Sequence, residues 1–334
     1  MLTGSWLLIE TLGRADTWSM IAAGTAPRAW KSIQRAVPSR LQPVIGAVYG
    51  SGAPIDQQLP QSRHAWSGRR LLAVPVLGRD TRVHAVKLWL GDGEPPAQVG
   101  AAPFTIDART RRVDTLPGLG PHFATEPISW LGAQSYETIE RFDGALEFTA
   151  TLARSSPDSR WLGVATVRSQ AGPRSILLAA RNGGTDATRT QWLGVAADVT
   201  ESVAPQSKSF EAGTLDMLRE RQPNLYLAIV DTAQVRLIRW VSEPVPGLRW
   251  SGADERTIPH PADRARILAA RDEIRSGAQL VTLADIRLAA ENGSWITADL
   301  EITPLPGGTP DAEIPEFALV QMEIRSSSPG DRPL

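Results

Sequence analysis

The residues with the widest chemical range in this sequence are four histidines, His64, His84, His122 and His260. Metal binding calls for imidazoles at short, regular spacing, and none of the four forms a His-x-x-x-His or His-Glu-x-x-His pair. Cysteine is absent, which removes disulfides, thiolate nucleophiles and cysteine-held metals together. Gly118-x-Gly120 and Gly183-Gly184 lack the strand–glycine–helix context of a phosphate loop, and no Gly-x-x-x-x-Gly-Lys-Ser/Thr run occurs. A Gly-x-Ser-x-Gly nucleophile elbow is also missing. His84, between Val83 and Ala85, reads as a satisfied histidine, with haem or metal ligation as the sharper alternative. His260 reads as a residue at a helix start. The chemistry expected is therefore that of a non-enzyme, with no cofactor and no metal. A carboxylate pair assembled only by folding keeps a cryptic enzyme as an alternative.

Binding is better represented than catalysis. Eleven tryptophans stand against three tyrosines and six phenylalanines. Trp6, Trp18, Trp89, Trp192, Trp240 and Trp295 fall in expected strands, where the plain reading is core packing. The sharper reading makes Trp89, Trp161, Trp192, Trp240 and Trp295 candidates to line a pocket or an interface. Trp161 and Trp250 have no obvious structural place.

The elements that would position these residues follow from composition and pattern. A chain of 334 residues suits two or three domains, and 42% apolar with 21% charged residues suits packed cores. A net charge of −1 argues against a nucleic-acid partner. No apolar run approaches the ~20 residues that cross a bilayer, and the start lacks a secretory leader, so a cytoplasmic protein is expected.

Residues 5–11 and 17–23 read as two strands, 26–37 as a helix, and 69–77 with 82–90 as a hairpin. Pro75 demotes its strand to an edge or marks a bulge, and Pro43 and Gly46 weaken a helix over 41–48. Residues 91–102 read as a linker. A second segment opens with a hairpin and closes with three strands over 160–169, 174–181 and 189–199. Residues 145–152 between them read as a strand or a strand-like helix. An amphipathic helix over 210–221 leads into a third segment with the same order: a hairpin over 224–240, a helix to about Arg275, then strands over 279–288, 294–304 and 316–325. Residues 327–334 should fray.

The end of the second segment, Trp192-x-Gly194 followed by Asp198-Val199-Thr200-Glu201, resembles the close of a PAS domain. In the third segment His260, Pro261, Asp263 and Arg264 resemble the PAS His-Pro-Asp-Asp-Arg element, with Ala262 in place of the first Asp. The first segment has a GAF-like order, without the motif of cyclic-nucleotide-binding GAF domains. Together with the opening Trp6 to Gly13, the chain resembles an actinobacterial family of GAF-PAS-PAS proteins that carry no effector domain. That resemblance implies an α+β fold of three tandem sensor domains, each an antiparallel sheet flanked by helices: 1–97 GAF-like, 98–203 PAS-like and 204–326 PAS-like. It implies a non-enzymatic sensor or scaffold. The expected partner is a small molecule or an effector protein in trans, with a homodimer left open. An interaction scaffold without ligand is the alternative.

Overall fold

The computed structural model describes residues 4–64, 66–154, 156, 158–183, 190–207, 224–250, 258–305 and 314–328. The chain forms two compact units. The first comprises Met1–Trp130, Thr138–Gly144 and Thr151–Ser207; the second comprises Leu131–Glu137, Ala145–Ala150 and Lys208–Leu334.

In the first unit, one sheet holds β1 (Leu7–Glu10), β2 (Ser19–Ala23), β3 (Ala26–Ser32), β4 (Ile55–Gln58), β5 (Arg70–Leu77) and β6 (Val83–Gly91), in the order β3-β2-β1-β6-β5-β4. All of its pairings are antiparallel. Strand side chains alternate between faces. Leu7 and Ile9 therefore join a core with α1 (Ile33–Ala36) and α2 (Gln42–Ser51), whereas Trp6 and Leu8 face the opposite way. Pro43 sits in the first turn of α2, where its missing N–H costs nothing, so that helix forms. Pro75 lies beyond the reach of β4, which pairs with β5 only over Arg70–Ala73, so no ladder bond is lost on that side.

The second sheet holds β7 (Ala101–Asp107), β8 (Arg112–Thr115), β9 (Ile128–Leu131), β10 (Ile139–Arg141), β11 (Arg160–Ser169), β12 (Gly172–Asn182) and β13 (Gln191–Asp198). Its order is β10-β11-β12-β13-β7-β8-β9. β13 runs through its middle, paired with both β12 and β7. Gly194 is required there: a Cβ would fall 2.1 Å from the Phe104 ring on β7. The two sheets meet face to face. Trp6, Leu8, Ile21, Ala85 and Trp89 share one core with Leu177, Ala179, Val195 and Ala197.

A charged pair is buried on those same two faces. Glu10 continues the face of Trp6 and Leu8, and Arg181 continues that of Leu177 and Ala179. Glu10 is 0% exposed, and Arg181 Nη2 donates to it at 3.1 Å and to the Thr17 carbonyl at 2.8 Å. The Arg181 and Arg160 guanidinium groups lie 5.0 and 4.9 Å from the Trp30 ring centre. Burial pushes the Glu10 carboxyl up from its ordinary 4.5 to about 7, against the lowering pull of Arg181, the Leu12 N–H and Arg160.

The second unit holds the third sheet: β14 (Leu225–Asp231), β15 (Arg236–Trp240), β16 (Val281–Ala289), β17 (Trp295–Leu305) and β18 (Phe317–Ser328), in the order β15-β14-β18-β17-β16. Between the β14–β15 hairpin and β16 lies α4 (Arg264–Arg275). α4 and the apolar residues before it cover one face of this sheet. Tyr136, Leu146 and Ala150 lie on the other, against Ile229, Ile238 and Phe317.

The expected α+β class is corrected by this architecture. Among the described residues there are 18 strands and four α-helices. The protein is mainly β, three antiparallel sheets with few helices, and the first two sheets cover each other where flanking helices were expected. Residues 26–37 are mostly strand, because β3 extends the first sheet and only Ile33–Ala36 turns helical. Conversely 145–152 lies in a helix, α3 (Ala145–Arg154). β18 runs to Ser328, past the expected start of the tail. The helix expected over 210–221 lies outside the described residues, as does 329–334.

A carboxyl whose folded value exceeds its unfolded one binds more protons in the folded chain. Its contribution to stability is whole below pH 4.5 and is lost as pH rises to about 7. Glu10→Gln removes this titration while keeping an acceptor for Arg181. Denaturant titrations should show wild type losing about 3 kcal/mol relative to the variant between about pH 4.5 and about pH 7.5. An equal gap at both ends would show that Glu10 keeps an ordinary pKa.

Candidate functional site

The third sheet does not fill the space under its covering layer. A cavity of about 140 Å³ lies between the sheet, α4 and the segment that precedes it. The two-residue period of the strands decides which side chains enter. Ala228 and Val230 of β14 line the cavity, while Ile229 between them belongs to the opposite face. β18 contributes Ala318, Val320 and Met322, and β17 contributes Leu300 and Ile302. From α4 come Ile267, Arg271 and Ile274.

Trp240 reaches the cavity through a β-bulge. The register of β14 with β15 shifts between Ile229 and Val230: Val230 pairs with Leu237, but Ile229 pairs with Arg239 and Ala228 with Trp240. Ile238 is the extra residue. Without it, Arg239 would follow Leu237 onto the cavity face and Trp240 would turn away. With it, Trp240 and Leu237 both line the cavity. The Trp240 ring meets Trp250 edge to face, with centroids 6.1 Å apart and planes at 79°. Arg239 lies on the other face, where burial lowers its pKa against a small opposing pull from Tyr136.

The rim carries the polar residues. Among the described residues lining the cavity, Asp231, Thr232 and Arg271 have polar side chains. Asp231 accepts from the Ala233 and Gln234 N–H groups and caps the hairpin turn. Thr232 donates to the Pro315 carbonyl and accepts from Arg275. Arg271 pairs with Asp272 at 2.7 Å. In the same turn Val235 has φ 53°, a left-handed conformation rarely taken by a β-branched residue.

The His-Pro element holds this wall without lining it. His260 accepts from the Ala262 N–H at 3.1 Å, and its ring abuts Trp295 with centroids 4.7 Å apart. The His260 N–H donates to the Arg287 carbonyl at 2.8 Å. Asp263, 5% exposed, accepts from the Arg287 backbone at 3.0 Å and from its guanidinium at 2.9 and 3.2 Å. Partial burial raises the Asp263 carboxyl, but the Arg287 hydrogen bonds and charge, with His260, outweigh it and leave it below the usual range. The helix begins at Arg264, with Asp263 at its N-cap position but making no side-chain cap bond. Pro261 stands before the helix, and Arg264 reaches back to the Pro259 carbonyl at 3.3 Å. The element thus ties the start of α4 to β16 and β17, so that its neighbours Ile258, Pro259 and Ile267 form the cavity wall.

Of the candidate aromatics, Trp240 alone lines the cavity. Trp89, Trp161, Trp192 and Trp295 are buried at 2%, 5%, 0% and 7% exposure, as packing residues are. Trp250 was the one missed; it follows Leu248, whose bridge to Ala290 fixes it beside the sheet, a pairing no local pattern announces. His84 is fully buried, with Nδ1 2.7 Å from the Gly194 carbonyl, and burial lowers its pKa. Among the described residues no group of His, Cys, Asp and Glu could hold a metal ion, and no helix is long and apolar enough to cross a membrane.

Comparison with known proteins places the chain. Residues 5–97 match the Rv3651-like N-terminal family model, and residues 215–305 match the Rv3651-like C-terminal domain. The two matches run in order and together span more than half of the sequence. The chain belongs to the Rv3651-like family. The fold extends along its whole length: a crystal structure of an uncharacterized Mycobacterium tuberculosis protein aligns over 97% of both chains at 20% identity, with a TM-score of 0.72. The expected actinobacterial family is thus found. A Drosophila melanogaster Cycle PAS-B domain with bound ethylene glycol aligns with 30% of this chain and 99% of its own at 11% identity; its TM-score of 0.26 carries no argument. No curated protein matches the chain.

The role of the His-Pro element can be measured. Asp263→Ala removes the acceptor of three Arg287 hydrogen bonds and should destabilise the chain by about 1–3 kcal/mol in denaturant titrations. The carboxylate's support is present above the unfolded value of 3.8 and lost on acidification below it. The wild-type advantage should therefore narrow below about pH 4. A variant as stable as wild type at neutral pH would remove this pair from the account.

Proposed function

We propose that this protein is a non-enzymatic sensor or scaffold whose third sheet holds a small apolar ligand and passes its presence to a separate effector protein. The observation that carries this reading is the unfilled cavity beneath that sheet. Cores close to organic-crystal density, and a partly open space of about 140 Å³ under the sheet forfeits contacts that side chains of the same face could make. Two further features support it. A bulge brings Trp240 to the cavity, and backbone strain sits at Val235 on its rim; bulges and strain are both enriched beside functional sites.

A GAF-PAS-PAS organisation, with boundaries near residues 97 and 203, belongs to the same proposal. Its support is the shared strand order of the later sheets, each a hairpin whose first strand pairs with the last of three closing strands. Signalling by such a domain needs a ligand that binds two arrangements with different affinity. A cytoplasmic location is part of this reading.

Native mass spectrometry and thermal-shift screens of the full chain over metabolites, nucleotides and lipids test it. A ligand that raises the melting temperature, and does so less in a Trp240→Ala variant, is the expected outcome. A chain that responds to no small molecule but forms a defined complex in size measurement and pull-down would be a scaffold without ligand.

A further inference from the structure

The size and lining of the cavity say more than that a ligand binds. Resting on the reading that the cavity is a ligand site, we propose that its ligand is a neutral, single-ring, largely apolar molecule. Volume sets the first limit. A space of about 140 Å³ is the size that accepts benzene or xenon, so the part of the ligand held within it has on the order of six to nine non-hydrogen atoms. A nucleotide, a flavin, a haem or a long acyl chain could not be held within it whole.

Lining sets the second limit. A buried polar group on a ligand must find a partner or lose its hydration uncompensated. Asp231 is engaged with its own turn, Thr232 with Pro315 and Arg275, and Arg271 with Asp272, which leaves the buried Trp240 indole N–H as a donor without a partner among the described residues, suited to a single acceptor on the ligand. The interior wall is formed by groups such as Leu288, Leu300, Ile302 and Met322, which offer a ligand dispersion contacts and nothing directional. Shape sets the third. Trp240 and Trp250 meet at 79° and present aromatic surfaces to the space, and rings pair with such surfaces edge to face or offset. A charged substituent would meet only Asp231 and Arg271 among the described residues, each already engaged within the chain, so a benzoate or an aryl amine is disfavoured against the neutral ring.

The probe is fluorobenzene, followed by 19F NMR with the full chain. Its signal should broaden and shift, unlabelled toluene should restore the free signal, and saturating toluene should raise the melting temperature. Ala228→Leu and Ala318→Leu each add side-chain volume at a residue lining the cavity. Each should weaken fluorobenzene binding by roughly tenfold or more while retaining a cooperative melt. Two variants guard against one failing to fold, and toluene protection of the wild type is independent of both. If dodecanoate or benzoate binds in place of fluorobenzene, and either variant abolishes that, the ligand class is wrong while the cavity remains a ligand site. If neither ring nor chain binds and both variants are simply more stable than wild type, the cavity is a packing defect and both readings fall.

Discussion

An antiparallel sheet has two faces, and an apolar face must be covered. This chain has more sheet than helix with which to do it, and each sheet meets the constraint differently. The first and second cover one another, so that β1 sends Leu7 and Ile9 toward α1 and α2 but Trp6 and Leu8 into the sheet–sheet core. The third has α4 and a length of irregular chain on one face. One helix cannot tile a five-stranded sheet, and among the described residues the cavity lies between that helix, the segment before it and the sheet.

The sheet–sheet core has a cost of its own. The same alternation that buries Trp6 and Leu8 also buries Glu10, and the alternation of β12 brings Arg181 against it. Two charges taken from water are costly to bury, and attraction between them need not repay that. Here the balance shows in the Glu10 carboxyl, which holds its proton near neutrality despite the adjacent guanidinium. Arg181 offsets part of the loss through the Thr17 carbonyl and the face of Trp30.

In the third sheet, small departures from regularity decide what the cavity contains. A single extra residue, Ile238, exchanges Arg239 for Trp240 on the lined face. A guanidinium in that position would need a carboxylate or several acceptors; an indole needs one acceptor for its N–H, which here is buried without a partner among the described residues. The His-Pro element then fixes where the wall stands, because Asp263 binds β16 through Arg287 while the His260 ring rests on Trp295 of β17. These residues shape the site from behind it.

Much of this was legible in the residues themselves. Alternation marked most of the strands, including both hairpins that open the later segments, and His260, Pro261, Asp263 and Arg264 marked the start of α4. Local pattern failed where tertiary pairing overrode it: residues 26–32 carry helical spacing but pair with β2, and the helical residues 145–152 alternate like a strand. The expected α+β class, with each sheet flanked by helices, failed for the same reason, since a sheet face covered by another sheet needs no helix. The sequence by itself determined which residues could be strands, which were too apolar to remain in water, and that metal-ligating spacings and cysteines were missing. Only the tertiary structure decided that Glu10 meets Arg181, that Trp240 turns inward and Trp250 joins it, and that space is left between them. Those outcomes depend on register between strands far apart in the chain, and register is set by long-range pairing and bulges that no local window of sequence contains.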